Sequence, residues 1–169
     1  MDYERALRLI RDCFGNNSIT RHSIATSLKA AEIAKKIQKK GHPVNTELVR
    51  VGALLHDIGR CRTHDIEHNY EGGRLLGEMG FEELARAVER HGSNVFDELH
   101  PSELSIEEKI IYLADKLTEE DHYVTLDERL KGVVERRKKH GKEHEIPLIE
   151  NAVKVTKQIE EEVNALMRD

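Results

Sequence analysis

Three short stretches of this chain carry residue types suited to chemistry: His22, the adjacent pair His56-Asp57, and Asp115. Imidazole nitrogen and carboxylate oxygen together suit a hard or borderline divalent ion such as Mn, Fe, Co, Ni or Zn, and less well Mg. A lone His-Asp pair occurs often by chance, and several of the ten histidines must be surface residues. His42, His100, His122, His140 and His144 fall in loops or charged helices and receive no role. His56-Asp57 differs in context, because it follows the apolar run Val51-Gly52-Ala53-Leu54-Leu55. Asp115 likewise closes Ile110-Ile111-Tyr112-Leu113-Ala114. A charge at the end of a buried helix is costly unless it is paired or binds a metal. Two such carboxylates point to a shared cation.

The elements that must position these residues read as helices throughout. Aromatics are 4% of the chain, and no stretch alternates apolar and polar residues between hairpin turns, so no strand is expected. A first helix fits 2–14, stopped at Gly15-Asn16-Asn17. A second runs from Ser18 to about Lys40, with an apolar side made of Ala25, Leu28, Ala31, Ile33, Ala34 and Ile37. Pro43-Val44-Asn45 opens a third, which should be central and should run into His56-Asp57-Ile58, with Gly59 as its stop. A charged loop at 60–67 precedes helices over about 69–79 and 82–91, then an irregular stretch to 104. Ser105 and Glu108 form a capping box for the helix that delivers Asp115. Two more helices fit about 125–139 and 147–168, separated by His140-Gly141-Lys142. The expected fold is all-α, an irregular bundle of seven to eight helices.

At 169 residues the chain is most simply one domain, with a motif core at about 20–120 and a helical extension over 121–169. Its two cysteines, Cys13 and Cys61, lie far apart in sequence and form no C-x-x-C pattern, which favours a reducing compartment. Cys61 is close enough to His56-Asp57 in sequence to be weighed as a soft ligand, although a plain thiol is the simpler reading. The charged start lacks the apolar core of a signal peptide, and no run is long enough to cross a membrane. A cytoplasmic protein with no membrane partner is the expectation. The net charge is −5, with no basic block of the kind a nucleic-acid surface needs, so no nucleic-acid partner is expected. Leu148, Ala152, Val155, Ile159, Val163 and Leu166 form a stripe on the last helix that either packs on the domain or makes a homodimer seam.

Leu54-Leu55-His56-Asp57-Ile58-Gly59-Arg60 resembles the HDIG variant of the HD superfamily of metal-dependent phosphohydrolases. Arg21-His22-Ser23 is similar to the first histidine segment of that family, and Tyr112-Leu113-Ala114-Asp115-Lys116-Leu117 to its closing aspartate segment. The resemblance implies a metal site at His22, His56, Asp57 and Asp115. His68-Asn69-Tyr70-Glu71-Gly72 looks like the H-x-x-x-G segment of the two-metal branches, and His91 stands where those branches carry a further histidine. The resemblance therefore implies a second ion on His68 and His91 with Asp57 bridging; the plainer alternative has His68 as a helix cap and His91 as a substrate contact or a solvent-facing residue. With Gly92 after His91 and no GYP segment, the chain departs from the cyclic-dinucleotide branch. Ser105–Asp115 is similar to the closing segment of HD-type symmetrical dinucleoside tetraphosphatases, although the acidic stretch Thr118-Glu119-Glu120-Asp121 departs from it.

One or two divalent ions in such a site would activate water against phosphorus, with Asp57 orienting the nucleophile. Cations must then face the phosphoryl oxygens, and Arg60, Arg62, Arg74 and Lys116 are the nearest, each also readable as an ordinary surface charge. His64 is read as a substrate contact or as nothing. No Gly-rich phosphate loop, G-x-S-x-G elbow or H-E-x-x-H competes. The leading expectation is a metal-dependent phosphohydrolase of a small phosphorylated substrate, first of all a nucleotide. The alternatives are an HD-fold di-iron oxygenase acting on a small organic substrate, and a binding or regulatory domain that keeps its metal for structure.

Overall fold

Eight α-helices, three 3-10 turns and one very short hairpin make up the chain in a computed structural model that describes residues 1–65, 67–141 and 146–168, with the side chains at 146–148, 150 and 151 set aside. Lys142 and His144, together with the Leu148 side chain, lie outside the described residues. The helices are α1 (Tyr3–Phe14), α2 (Ser18–Lys39), α3 (Thr46–Leu55), α4 (His68–Glu78), α5 (Glu82–Glu89), α6 (Ile106–Lys116), α7 (Leu126–Lys139) and α8 (Ile146–Arg168). Their starts follow local chemistry. Asp2, Asn17 and Asn45 each accept a backbone N–H of the first turn, and Ser105 and Thr125 form full capping boxes with Glu108 and Glu128.

α3 is the axis of the molecule. Val49 and Ala53 face a cluster built from α2, α6 and α8, whereas Val51, Leu54 and Leu55 face a second cluster built from α1, α4 and α5. Burying each of its larger aliphatic side chains contributes ~2 kcal/mol. The stripe on α8 is used inside the chain: Ile159 and Val163 are fully buried, and Val155 and Leu166 pack against the same cluster.

α2 buries Ala25, Ile33, Ala34 and Ile37 as expected, but its inward face departs from the expected one at Leu28. Leu28 is 53% exposed, and the inward positions include Ser23, Thr26 and Ser27. Such side chains are small enough for α3 to approach closely. Ser27 Oγ donates to the Arg50 carbonyl at 2.8 Å, which satisfies its hydroxyl without water.

Two strands form where none was expected. Thr118–Glu119 pairs antiparallel with His122–Tyr123, and Glu120 sits at the turn with φ of 52°. The hairpin is too short to leave an alternating pattern in the sequence. The cysteines, distant in sequence, meet in space, because α1 packs on the 3-10 turn Ile58–Cys61. The Cys13 thiol is pushed up to about 11, first by burial and then by the neighbouring Cys61.

Gly59 does not act as a helix stop. α3 ends at Leu55, and Gly59 lies inside the following 3-10 turn with its α-carbon against the start of α4. A Cβ there would collide with the His68 carbonyl and the Gly72 amide, both backbone groups that no rotamer change can move. Gly59→Ala is therefore expected to cost about 3 kcal/mol or more, read as a lowered denaturation midpoint. A second test concerns Glu108, which is buried and accepts from the Ser105 amide at 2.8 Å, Arg86 at 3.0 Å and Arg90 at 3.1 Å. Glu108→Ala should destabilise the fold by about 2 kcal/mol in urea titration, since a cap and two charge-assisted bonds go together.

Candidate metal centre

The C-terminal end of α3 delivers His56 and Asp57 to the seam between the two hydrophobic clusters. His22 comes from the first turns of α2, His68 from the start of α4, His91 from just past the end of α5, and Asp115 from the last turn of α6. His56, Asp57, His91 and Asp115 are buried, while His22 and His68 are partly open. The imidazoles stand in a row, with centroids 5.1 Å apart for His22–His56, 5.0 Å for His56–His91 and 5.3 Å for His68–His91.

Every one of these rings is fixed through Nδ1. His56 Nδ1 lies 2.8 Å from the Ala53 carbonyl, His91 Nδ1 2.6 Å from Val88, His68 Nδ1 3.0 Å from Asp65, and His22 Nδ1 2.8 Å from Glu120. A carbonyl only accepts, so Nδ1 carries the proton in all four, and in the neutral ring Nε2 is a bare lone pair. For His56 and His91 the partner is a carbonyl in the last turn of the preceding helix.

All four Nε2 atoms converge on the two carboxylates. Asp115 Oδ1 is 3.1 Å from His22 Nε2 and 3.6 Å from His56 Nε2. Asp57 is shared between two halves of the site: its Oδ2 lies 3.7 Å from His56 Nε2, and its Oδ1 lies 3.0 Å from His68 and 3.9 Å from His91.

Two features of this array fit a cation. The first is that His56 Nε2 is buried without a hydrogen-bond partner. The second is that His68 Nε2 and His91 Nε2 face each other at 3.3 Å. With both Nδ1 atoms already donating, that approach needs a proton or a metal ion between the two rings and Asp57. His22, His56 and Asp115 form one compact donor set, and His56, Asp57 and His91 form another.

The protonation states agree with this geometry. Burial pushes His91 down to about 3, with His56 adding to the effect, and burial lowers His56 as well. Burial opposes the charge on Asp57, but His56, the His68 hydrogen bond, His91 and Arg60 outweigh it and hold the carboxyl well below its usual range. At Asp115 the same opposition from burial is overcome by Lys116 and the His22 hydrogen bond. His22 moves the opposite way from His56 and His91: burial lowers it, yet the Asp115 hydrogen bond and charge raise it overall.

Of the four cations expected near the site, two arrive. Arg60 Nε is 2.8 Å from Asp57 Oδ1, and Lys116 Nζ is 2.6 Å from Asp115 Oδ2. Arg62 instead pairs with Glu78 and Arg74 with Glu71, both on exposed surface, because α4 carries these acids within reach of each arginine. His64 is exposed, and so is Cys61, which belongs to neither compact donor set. The sequence reading missed the backbone carbonyls that orient the rings. It also missed the hairpin turn, where Glu120 holds His22 and Asp121 pairs with Arg21 at 3.2 Å.

Residues 19–120 match the family described as HD domain. An uncharacterized protein of Methanocaldococcus jannaschii is 37% identical over 99% of this chain and 100% of its own length. A tRNA (cytidine(56)-2'-O)-methyltransferase of Picrophilus torridus is 31% identical over 74% of this chain and 38% of its own length. A ribonuclease Y of Acidothermus cellulolyticus is 32% identical over half of this chain and 17% of its own length. No solved structure matches the chain significantly. Among the described residues, no helix is long and apolar enough to cross a membrane.

The raised His22 sets a pH dependence for metal uptake. Its extra proton must leave before Nε2 can bind, so affinity for Mn should rise as pH increases through a value above 6.5 and then level off. Calorimetric titration at pH 6 and pH 8 should show roughly tenfold tightening per pH unit below that point. The same titration should give two metal equivalents per chain, falling to one in His68→Ala.

Proposed function

The chain belongs to the HD-domain family, and from that premise we propose that it is a metal-dependent phosphohydrolase of small phosphorylated substrates, nucleotides first among them. The observation that carries this reading is the double use of each central carboxylate. Asp57 and Asp115 each face imidazole nitrogens, and each also holds a cation, Arg60 or Lys116, at the edge of the site. A phosphoryl group needs this arrangement, with a metal-ligand array at the centre and positive charge around it.

His22, His56, Asp57 and Asp115 would hold one divalent ion, and His68 and His91, with Asp57 shared, would hold a second. Such ions supply Lewis acidity and a water that ionises near neutral pH. The remaining steps belong to side chains of this chain. Asp57 lies between the two halves and is placed to orient the attacking water. Arg60 and Lys116, whose carboxylate partners would share their charge with the metal, bind the phosphoryl oxygens. Lys116 keeps its proton throughout: burial lowers it, but Asp115 first and then Tyr112 raise it overall. It therefore acts as a fixed positive charge and not as a base.

The test is product release from nucleotides, dinucleoside polyphosphates, simple phosphate esters and a short RNA, the last because one relative is a ribonuclease by name. Each is run with Mn, Co, Ni, Mg and anaerobic Fe(II), beside His56→Ala. Metal-dependent release that His56→Ala abolishes supports the reading, and Lys116→Met should then lower kcat/KM by about 100-fold. Oxygen consumption with Fe(II) and no phosphate release would replace it with the oxygenase reading. Folded, metal-loaded protein that turns over nothing would point to a binding domain.

A further inference from the structure

α8 lies beyond residues 19–120, yet three side chains connect it to the metal centre. Thr156, buried on α8, donates its hydroxyl proton to the Ala152 carbonyl at 2.7 Å. It can therefore only accept from Tyr112, whose hydroxyl is also 2.7 Å away. With the Tyr112 proton committed to Thr156, Ser93 Oγ, 3.3 Å from the phenol oxygen, must be the donor in that contact. Phe96 meets the Tyr112 ring edge-on with centroids 5.3 Å apart. The phenol is thus held at its oxygen by α8 and by the segment after His91, and at its edge by Phe96.

The face of that ring carries Lys116. Tyr112 and Lys116 are one helical turn apart on α6, and Lys116 Nζ stands 4.8 Å from the ring centroid. The same nitrogen holds Asp115 Oδ2, which leaves Oδ1 turned toward His22 and His56. A lysine has four side-chain torsions, and one carboxylate partner does not select a single position for its ammonium. The fixed ring supplies the second restraint.

We propose that Tyr112 and Thr156 are positioning residues for Lys116: α8 sets the phenol, the phenol face sets the ammonium, and the ammonium keeps Asp115 presenting Oδ1 to the imidazoles. The proposal rests on the reading of the site as a metal centre and is independent of the reaction performed there.

The experiment is a double-mutant cycle on Mn(II) affinity, measured by calorimetry on the full chain without substrate. Lys116→Met is expected to weaken affinity about tenfold or more, as is usual when a partner behind a metal ligand is lost. Thr156→Val should weaken it about threefold in the natural background and leave it unchanged in the Lys116→Met background, because coupled residues are not additive. Thr156→Ser, which keeps the hydroxyl, should restore the natural affinity. Tyr112→Phe removes the same hydrogen bond from the other side and replaces Thr156→Val should that variant fail to fold. Unchanged affinity in the single variants, or equal weakening in both backgrounds, overturns the proposal. Absence of Mn binding by the unaltered chain would instead remove the metal-centre reading beneath it.

Discussion

Four backbone carbonyls govern the interior of this protein. Ala53, Asp65, Val88 and Glu120 each take the Nδ1 proton of one imidazole, and each thereby turns a bare Nε2 toward the same space. Neutral rings alone would be inert packing. Set around two carboxylates that stay ionised, they form an electron-rich array between two hydrophobic clusters, open to solvent at His22 and His68. Unpaired acceptors in a low-dielectric interior are expensive, so the array is stable only with positive charge beside it. Arg60 and Lys116 provide part of that charge from the rim, and the centre is shaped for a divalent ion.

This constraint explains otherwise arbitrary details of the scaffold. His56 and His91 both follow helix ends, where last-turn carbonyls lie within reach of a ring proton. His22 lies near the start of its helix and has no such carbonyl behind it. The hairpin 118–123 supplies one from the other side of the site, at the cost of a left-handed residue at Glu120. His68 can reach Asp57 because Gly59 lets α4 begin against the turn that follows the His-Asp pair. The glycine after His56-Asp57-Ile58 therefore serves a close backbone approach between the two halves of the site.

The candidate ligand residues stand out in the sequence because they break a pattern. A charge that ends a run such as Val51–Leu55 or Ile110–Ala114 stands out against its apolar context, and the helices that carry those runs have strong periodicity and clear caps. The resemblance added His68 and His91, which no apolar run announces. What stayed hidden depends on distances between segments. Whether Arg62 or Arg60 reaches the site is decided by Glu78 on α4, and the meeting of Cys13 with Cys61 by the packing of α1. Leu28 was assigned to the apolar side of α2, yet it is exposed while Ser27 faces inward, because polarity was weighed above size. A buried serine with a carbonyl to bond is cheaper than a leucine with no room.

The same reasoning bears on the part of the chain beyond the family match. α8 would be needed only as a lid on the core if Ile159 and Val163 were its sole contribution. Thr156 gives it a second task, since a phenol buried under α6 needs an acceptor, and the described structure provides that acceptor on α8. A purely apolar helix at this place would leave the Tyr112 hydroxyl only the longer contact to Ser93 and loosen the ring on which Lys116 rests. Core packing and the charge balance of the metal centre are thus joined at one side chain, and the extension after residue 120 belongs physically to the site.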